Sequence, residues 1–343
     1  MSSETTLNVL VADKFDPNCI EGLEAIGCRV HVDADLGPET LAAAIKATDA
    51  HVLCVRSTNV PADVIESTDS LKLIIRGGAG YDNIDTAAAG SKGIPVCNCP
   101  GMNAVAVAEL AFGHILNLDR RIAQQTSELA GGHWNKKEYS KANGLKGRRL
   151  LVIGMGSIGT EVCKLAQAFG MKVAAQSRSL REDTARALGI QLIPYTRDAL
   201  NGALAETDIV SVHVAATPDT RELCGPGFFE AMKEGAYFIN TSRGEIVDEQ
   251  ELINAIKTKG IRAGLDVYSD QPSGKDTDWL PEIAKVPGVS LTHHVGASTE
   301  QAQLAVGDEV VRIVGNYLES GEALHVVNRD LLSDSVPQAA GAE

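Results

Sequence analysis

Short apolar runs alternate with longer amphipathic stretches along most of this chain. Five apolar runs lie in the first hundred residues and have the length of buried strands. The strands predicted from them are residues 7–12, 29–32, 51–55, 73–76 and 94–97. Helical stretches separate them, including residues 38–47 and 62–67. Alternating β and α units of this size are typical of a doubly wound parallel sheet, which predicts a first α/β domain.

The same alternation returns after a long helical run at residues 104–129. Further apolar runs predict strands at residues 150–153, 172–175, 208–212, 236–240, 261–266 and 289–292. A last helix is expected over residues 300–318, with Ser298 or Thr299 as its cap, and the tail from residue 333 is expected to be disordered. The fold class predicted is therefore α/β, with two doubly wound parallel-sheet domains of the Rossmann or flavodoxin-like kind.

A glycine turn follows the first strand of the second domain. Its sequence from residue 150 is LLVIGMGSIG, and a helix-like run continues to residue 169. This is the strand, turn and helix context of the dinucleotide-binding fingerprint, in which a helix N-terminus faces the pyrophosphate. The residues predicted to bind the cofactor here are Gly154, Met155, Gly156, Ser157, Ile158 and Gly159.

Charge and cysteine content restrict the classes of function. The formal net charge of −14 opposes nucleic acid and anionic membranes as partners, so a bound anion would need basic residues gathered locally. The seven cysteines are odd in number and scattered, which favours free thiols in a reducing cytoplasm, and no metal site is expected. The opening residues lack the features of a signal peptide, and no apolar run has the length of a transmembrane helix.

The loop after the second cofactor strand bears on the choice of dinucleotide. An NAD site usually places an acidic residue about 20 residues past the glycines, and here that position is Ser177. Arg178, with Ser177 and Ser179, is suited to a 2′-phosphate, and Arg181 is a further candidate. The alternative is a solvated polar loop with NAD still used. We expect NADP to be accepted at least as well as NAD.

Several motifs in order resemble the D-2-hydroxyacid dehydrogenase family, and within it the 3-phosphoglycerate dehydrogenases. Besides the glycine turn they are VRSTNV (55–60), IIRGGAGYDNID (74–85), GIPVCNCPGMNAVAVAEL (93–110), INTSRGEIVDE (239–249), AGLDVY (263–268) and THHVGAST (292–299). The resemblance implies a substrate-binding domain of residues 1–102 and 293–343, a Rossmann domain of residues 103–292, and an active site in the cleft between them. It also implies a homodimer formed through the cofactor domain, and the short C-terminus suggests that an added regulatory domain is lacking.

The chemistry of a 2-hydroxy acid dehydrogenase matches residues in these motifs. Hydride transfer from a hydroxy acid needs a cation for the carboxylate, a base for the hydroxyl proton and an aligned nicotinamide. Arg243 is suited to the first role and His294 to the second. The resemblance adds Thr241 and Asp266 as cofactor contacts. Alone, Arg243 would be equally well explained as a surface arginine at a strand end.

The partner of His294 departs from the family pattern. The family's glutamate before a proline falls on Gln271, and a neutral amide can orient the imidazole without stabilising its charged form. The related formate dehydrogenases use a glutamine–histidine pair and abstract no proton. We predict that Arg243 and His294 are catalytic and that Gln271 orients the ring. His293, which stands where the family usually has proline, is expected to pack or to support the site.

The substrate is the least defined part of the prediction. By resemblance, Arg56 and Arg76 would bind its anionic groups. The other candidates are Gly77, Gly78, Ala79, Gly80, Asn103, Lys136 and Lys137. For each lysine alone, a solvated loop charge is the better interpretation. Together these residues favour a dianionic substrate, 3-phospho-D-glycerate. The alternatives are a glyoxylate/hydroxypyruvate reductase and, in another class, a non-catalytic dinucleotide sensor that binds partners.

Overall fold

A computed structural model describes residues 6–272 and 276–332 of the chain. The tail from residue 333, for which disorder was predicted, lies outside the described residues. The described residues form two compact units. The first unit consists of residues 6–103 and 299–332, and the second of residues 104–298.

The first unit is built on a five-stranded parallel sheet of order β2-β1-β3-β4-β5. Its strands are β1 (Asn8–Val11), β2 (Arg29–Val32), β3 (Val52–Val55), β4 (Leu73–Arg76) and β5 (Val96–Asn98). Its helices are α1 (Pro17–Ala25), α2 (Pro38–Thr48), α3 (Ala62–Glu66), α4 (Thr86–Ser91) and α13 (Glu300–Ser320). This strand order is that of flavodoxin-like folds, which confirms the predicted fold class.

The C-terminal helix α13 belongs to the first unit because it packs on α1. Glycines make the approach close: a Cβ atom at Gly22 would lie 2.8 Å from Val311, and one at Gly307 would lie 3.0 Å from Cys19. Apolar residues of both helices lie in one buried cluster with alternate residues of the strands. The remaining strand residues face a second cluster on the opposite side of the sheet. Burial on both faces explains why these strands are continuous apolar runs.

The second unit contains a seven-stranded parallel sheet of order β12-β11-β10-β9-β6-β7-β8. Its strands are β6 (Arg149–Ile153), β7 (Lys172–Gln176), β8 (Gln191–Leu192), β9 (Ile209–Val212), β10 (Tyr237–Asn240), β11 (Arg262–Leu265) and β12 (Val289–Leu291). Its helices are α5 (Ala104–Arg120), α6 (Ile122–Ala130), α7 (Lys136–Tyr139), α8 (Ser157–Ala168), α9 (Glu182–Ala187), α10 (Arg197–Glu206), α11 (Pro226–Ala231) and α12 (Glu249–Lys259). The strand order reverses between β6 and β9, the position where doubly wound sheets bind dinucleotides.

The long helix predicted at residues 104–129 is two helices, α5 and α6. Arg121 separates them with a φ of 52°, in the left-handed region. Its guanidinium donates to the Glu138 carboxylate at 2.9 Å and lies over the Tyr139 ring. The Asn117 side chain accepts from the backbone N–H of Ala123 at 2.9 Å, in the first turn of α6. Contacts between residues distant in sequence therefore interrupt a continuous helical pattern.

The boundary between the units lies after residue 298, six residues later than the family resemblance implies. The intervening segment is bonded to the second unit, because the N–H groups of Val295 and Gly296 donate to Asp266 at 2.9 and 2.8 Å.

The cysteines are all free, as their number and spacing predicted, and all are buried. Burial raises the pKa of Cys19, Cys97, Cys99 and Cys163 to about 12. Over residues 6–272 and 276–332, no helix combines the length and apolar character needed to cross a bilayer. The same residues hold no group of three or more histidine, cysteine, aspartate or glutamate side chains placed to bind a metal.

Candidate active site

The glycine turn between β6 and α8 is shaped by close backbone approaches. Gly154 has a φ of 97°, and a Cβ there would collide with the carbonyl oxygen of His213. A Cβ at Gly159 would collide with the carbonyl oxygen of Gly154. At Gly156, in contrast, a Cβ would meet no atom within 4 Å, so space lies open beside the turn. The unpaired N–H groups at the start of α8 can therefore face a bound anion.

A cavity of about 510 Å³ joins this turn to the loop that follows β7. Its lining includes Gly154, Met155 and Gly156 from the turn, and Ser177 and Arg178 from the loop. The structure thus brings together the two sequence motifs that were predicted to bind the pyrophosphate and the ribose 2′ group of a dinucleotide. None of the described residues that line this cavity is acidic.

The β7 loop is arranged differently from the prediction in one respect. Arg181 donates to Asp183 and is exposed, and it is not among the residues that line the cavity. Arg197, at the start of α10, lines the cavity instead, and sequence reasoning missed it. Arg178 lies 3.5 Å from Asp219, and both side chains are largely exposed. The cavity therefore contains two arginines, Arg178 and Arg197.

Thr241 Oγ1 and His213 Nδ1 are among the buried polar atoms that lack hydrogen-bond partners within the described residues. His213, which sequence reasoning also missed, lines the cavity and bonds through Nε2 to Ser211 Oγ at 2.8 Å. Burial lowers the pKa of His213 to about 3, so its ring is neutral. Buried polar atoms of this kind usually have a partner, so these two fit a site that a polar ligand completes. Together with the glycine turn, they fit a dinucleotide.

The turn after β10 holds Arg243 in place. Asn240 bonds to two residues of this turn: its amide donates to the Arg243 carbonyl at 2.8 Å, and its Oδ1 accepts from Ser242 N–H at 3.0 Å. A Cβ at Gly244 would collide with the backbone of Tyr268. The half-buried Arg243 side chain therefore starts from a fixed backbone.

His294 and Gln271 lie together as predicted, with Gln271 Nε2 2.7 Å from His294 Nδ1. Tyr268 N–H donates to Gln271 Oε1 at 3.2 Å, which fixes the orientation of the amide. The backbone of His294 is strained, with a φ of 55°. His293 is exposed, which argues against packing, and the alternative, that it supports the site, stays a prediction.

Asp266 supports the segment that carries His294. It is 1% exposed, and it accepts from the Thr292 hydroxyl at 2.6 Å and from the N–H groups of Val295 and Gly296. Both carboxylate oxygens therefore bind the backbone or side chains on either side of His294. The cofactor contact that the resemblance assigned to Asp266 stays a prediction.

The candidate substrate residues fall in both units. In the first, Arg56 follows β3, Arg76 ends the adjacent β4, and Gly77 approaches Arg56 so closely that a Cβ would lie 3.2 Å from its Cγ. A Cβ at Gly78 would collide with the Arg76 guanidinium. Arg56 donates to the Lys14 carbonyl at 3.2 Å and to Gln303.

The other members of that set lie in three places. Ala79 accepts at its carbonyl from the Asn98 amide at 2.7 Å, next to Gly80 in the same loop. Asn103 Oδ1 is buried without a partner within the described residues. Lys136 and Lys137 are exposed on α7 in the second unit.

Asp13 was not predicted, although it organises the start of this loop region. It is 4% exposed and accepts from the N–H groups of Arg56, Ser57 and Thr58 at 2.6 to 3.0 Å. These hydrogen bonds outweigh the effect of burial and lower its pKa. Its position directly after a buried strand was the signal available in the sequence.

Comparison with known proteins identifies the family. Residues 112–296 match the D-isomer specific 2-hydroxyacid dehydrogenase, NAD binding domain. The chain belongs to this family. It is 41% identical over 263 residues to a hydroxypyruvate reductase of Thermotoga maritima, covering 76% of this chain and 82% of that one.

Two further members illustrate the range of the D-2-hydroxyacid dehydrogenases. D-3-phosphoglycerate dehydrogenase of Methanocaldococcus jannaschii is 40% identical over 324 residues, which cover 94% of this chain but 59% of the relative. The chain therefore spans about three fifths of that relative's length. The structure of an NADPH-dependent glyoxylate/hydroxypyruvate reductase from Sinorhizobium meliloti, in complex with NADP and malonate, is 28% identical, with a TM-score of 0.79, and covers 94% of this chain and 97% of that one.

Proposed function

We propose that this protein is an NAD(P)-dependent dehydrogenase that interconverts a D-2-hydroxy acid and its 2-keto acid. Family membership supports the reaction class, and the contact that carries the proposal is the one between Gln271 and His294. It places a paired imidazole in the unit that also contains the glycine turn and its cavity.

In this reaction the residues of the chain bind the substrate and move its proton. The Arg243 guanidinium binds the substrate carboxylate or its C2 oxygen through parallel N–H groups. His294 accepts the hydroxyl proton in oxidation and returns a proton in reduction. A bound dinucleotide would supply the hydride acceptor or donor at its nicotinamide ring.

Gln271 determines which nitrogen of His294 carries the proton. Because Tyr268 N–H donates to Oε1, the amide nitrogen donates to His294 Nδ1, and the neutral ring then carries its proton on Nε2. That tautomer donates a hydrogen bond to a keto oxygen. To accept a proton at Nε2, the ring must carry its proton on Nδ1, which requires rotation of the Gln271 amide. We infer that Gln271 orients the ring in both tautomers.

The substrate proposed is 3-phospho-D-glycerate with its keto acid, 3-phosphohydroxypyruvate. The M. jannaschii relative supports it, as do the two arginines at the ends of β3 and β4. Glyoxylate/hydroxypyruvate reduction is the second candidate, favoured by the absence of an acidic residue from the described cavity lining. A phosphate on the cofactor ribose would be repelled by an acidic side chain there.

The test is turnover, followed through nicotinamide absorbance. Phosphohydroxypyruvate, hydroxypyruvate and glyoxylate are each offered with NADH and with NADPH. We expect reduction, with the highest kcat/KM for phosphohydroxypyruvate. Binding of dinucleotide without turnover of any 2-keto acid would contradict the proposal and favour a dinucleotide sensor.

We also propose a homodimer formed through the second unit. Helix α6 contains no buried residue, and Ile122, Leu129 and the neighbouring Trp134 are 52%, 52% and 75% exposed. Apolar side chains grouped in this way are typical of a protein interface. Light scattering after size-exclusion chromatography should give twice the chain mass, and Trp134→Arg should lower it. A monomeric mass at all concentrations would contradict this proposal.

Location in the cytoplasm is the remaining part of the proposal. The free, buried cysteines support it, because reducing compartments keep thiols from forming disulfides.

A further inference from the structure

A buried chain of hydrogen bonds extends from α5 to the segment that carries His294. His114, which is 2% exposed on α5, bonds through Nδ1 to Ser290 Oγ at 2.9 Å and through Nε2 to Thr292 Oγ1 at 3.2 Å. Asn117, one turn along the same helix, donates to Ser290 Oγ at 2.9 Å. Thr292 in turn donates to Asp266 at 2.6 Å.

The direction of each bond in this chain follows from the groups involved. A carboxylate only accepts, so the Thr292 hydroxyl donates to Asp266 and must accept from His114 Nε2–H. The neutral ring then has a lone pair on Nδ1, and the Ser290 hydroxyl donates to it while accepting from Asn117. The position of each hydrogen in this chain of bonds is therefore determined, and His114 is fixed as the Nε2–H tautomer.

The far end of the chain fixes the backbone around His294. Asp266 accepts from the N–H groups of Val295 and Gly296, the two residues that follow His294. His294 itself has a φ of 55°, a conformation that a non-glycine residue rarely adopts unless its surroundings impose it. Asp266, oriented by Thr292, supplies that constraint.

Close packing and burial hold the His114 ring in place. A Cβ at Gly264, on β11, would lie 2.7 Å from the His114 Cβ, so the absence of a side chain at Gly264 makes room for His114. Burial lowers the pKa of His114 to about 4, which keeps the ring neutral and its bonds unchanged at physiological pH. An apolar side chain at this position would remove one hydrogen bond from each of two hydroxyl groups, those of Ser290 and Thr292.

We propose that His114 is a positioning residue for the reaction, acting through Thr292 and Asp266 to hold the backbone of His294 in its active conformation. The proposal rests on the function assigned to His294 above. His114 is distant from that ring along the hydrogen-bond chain, so it acts on geometry and takes no part in proton transfer.

The first test uses the unmodified protein without substrate. The ring nitrogen chemical shifts of His114 are measured by NMR and assigned with His114→Gln. We expect a protonated Nε2 and an unprotonated Nδ1 at every pH from about 6 to 8, since the group is neutral there. The Nδ1–H tautomer, or an imidazolium in this range, would overturn the assignment of the chain.

The second test compares Thr292→Val, which removes the hydroxyl, with Thr292→Ser, which keeps it. Thr292→Val should speed hydrogen exchange at the Val295 and Gly296 amides about tenfold and lower kcat about tenfold with KM nearly unchanged, because this is the typical net contribution of one hydrogen bond. Thr292→Ser should restore both. His114→Met should produce part of the same change. His114→Gln, which keeps an N–H donor, should behave like the unmodified protein.

Thr207→Val is the matched control. Thr207 is a buried threonine of the same unit, 4% exposed, whose hydroxyl donates to the Ala203 carbonyl at 2.7 Å. It should leave the two amides unchanged. Equal exchange and kcat in Thr292→Val and Thr292→Ser would overturn the positioning role. Amide exchange is measured without substrate, so it decides this role even if no 2-keto acid is turned over and the proposed function fails.

Discussion

The two units carry glycine-rich loops at the same place, the carboxyl end of a parallel strand, yet the loops differ in what surrounds them. After β6, a Cβ at Gly156 would meet open space, and the helix α8 begins at once. After β4, Gly77 and Gly78 lie against the side chains of Phe15, Arg56 and Arg76. One loop offers backbone N–H groups and a helix N-terminus, whereas the other gathers arginines.

The difference between these two loops explains how the same arrangement of sheet and helices can bind two kinds of anion. A pyrophosphate has diffuse charge and needs close backbone approach, which only glycine permits. A small acid with a carboxylate and a phosphate has two separate charges, which planar guanidinium groups bind with defined geometry. In each case the sheet sets where the loop lies, and the groups of the loop determine which anion it can bind.

The largest expected effect comes from the first loop. Gly156→Ala should weaken NADPH binding roughly a hundredfold, about 2.7 kcal/mol, because the methyl group takes space beside the turn, while the melting temperature stays unchanged. Gly159→Ala should lower both binding and melting temperature, since its Cβ collides with backbone. Binding is measured by fluorescence titration. Gly202→Ala, where a Cβ meets nothing within 4 Å, is the control. Unchanged NADPH binding in Gly156→Ala would contradict the role given to the open space beside the β6 loop.

The second loop should show its effect through substrate charge. Replacing Arg56 and Arg76 with alanine should lower kcat/KM for phosphohydroxypyruvate about thirtyfold, since a hydrogen bond to a charged group contributes roughly 1.5–3 kcal/mol. The loss for glyoxylate should be several times smaller because it lacks the phosphate. Steady-state kinetics with both substrates provide the measurement. Equal losses would show that these arginines do not distinguish the phosphate.

The cofactor cavity should show a preference that follows its arginines. NADPH should be used at least as well as NADH, and Arg178→Ala should weaken NADPH binding about tenfold with little change for NADH. Asp219→Asn, which removes the charge 3.5 Å from Arg178, should favour NADPH further. A kcat/KM ratio favouring NADH by about a hundredfold, some 2.7 kcal/mol, would contradict this interpretation.

Gln271→Glu tests the residue that pairs with His294. A carboxylate stabilises the imidazolium, so in the oxidation direction, where His294 must be unprotonated, the pH at which kcat/KM falls on the acidic side should rise by about one unit. Gln271→Ala should lower kcat without producing such a shift. The pH–rate profile of each variant is the measurement, and an unmoved profile in Gln271→Glu would show that Gln271 does not orient the histidine.

The smallest effect concerns the thiols, most of which lie in the core of the first unit. Burial raises the pKa of Cys97 from 9.0 to about 12, so above pH 9 the thiol ionises in the unfolded chain but not in the folded one. Its contribution to stability is complete below pH 9 and is lost as pH rises towards 12. Urea unfolding at pH 8 and pH 10 should show a smaller loss for Cys97→Ala than for wild type, by about 1.4 kcal/mol. Equal losses would contradict the buried-thiol explanation.

Most of the fold could be predicted because apolar periodicity is local. Both sheets follow from it, but β8, a two-residue edge strand, carries too little pattern to be recognised. The break at Arg121 depends on Glu138 and Tyr139, which the sequence around it does not specify. The first feature was too short to leave a pattern, and the second depends on contacts between residues distant in sequence.

The site was predictable where a motif places a residue and unpredictable where single residues act through tertiary contacts. The glycine turn and the Gln271–His294 pair come from motifs. His114 appeared in the sequence only as one position on the buried face of a helix. Its bonds to Ser290 and Thr292 join residues more than 170 positions apart, so no local pattern shows them.

The configuration of the product tests the proposed reaction most directly. Hydroxypyruvate and phosphohydroxypyruvate are reduced with NADPH, and the 2-hydroxy acids formed are resolved by chiral chromatography. We expect the D isomer alone, in amounts that match the dinucleotide oxidised. We expect no product from His294→Asn. An L isomer, or dinucleotide binding with no hydroxy acid formed, would contradict the proposed reaction.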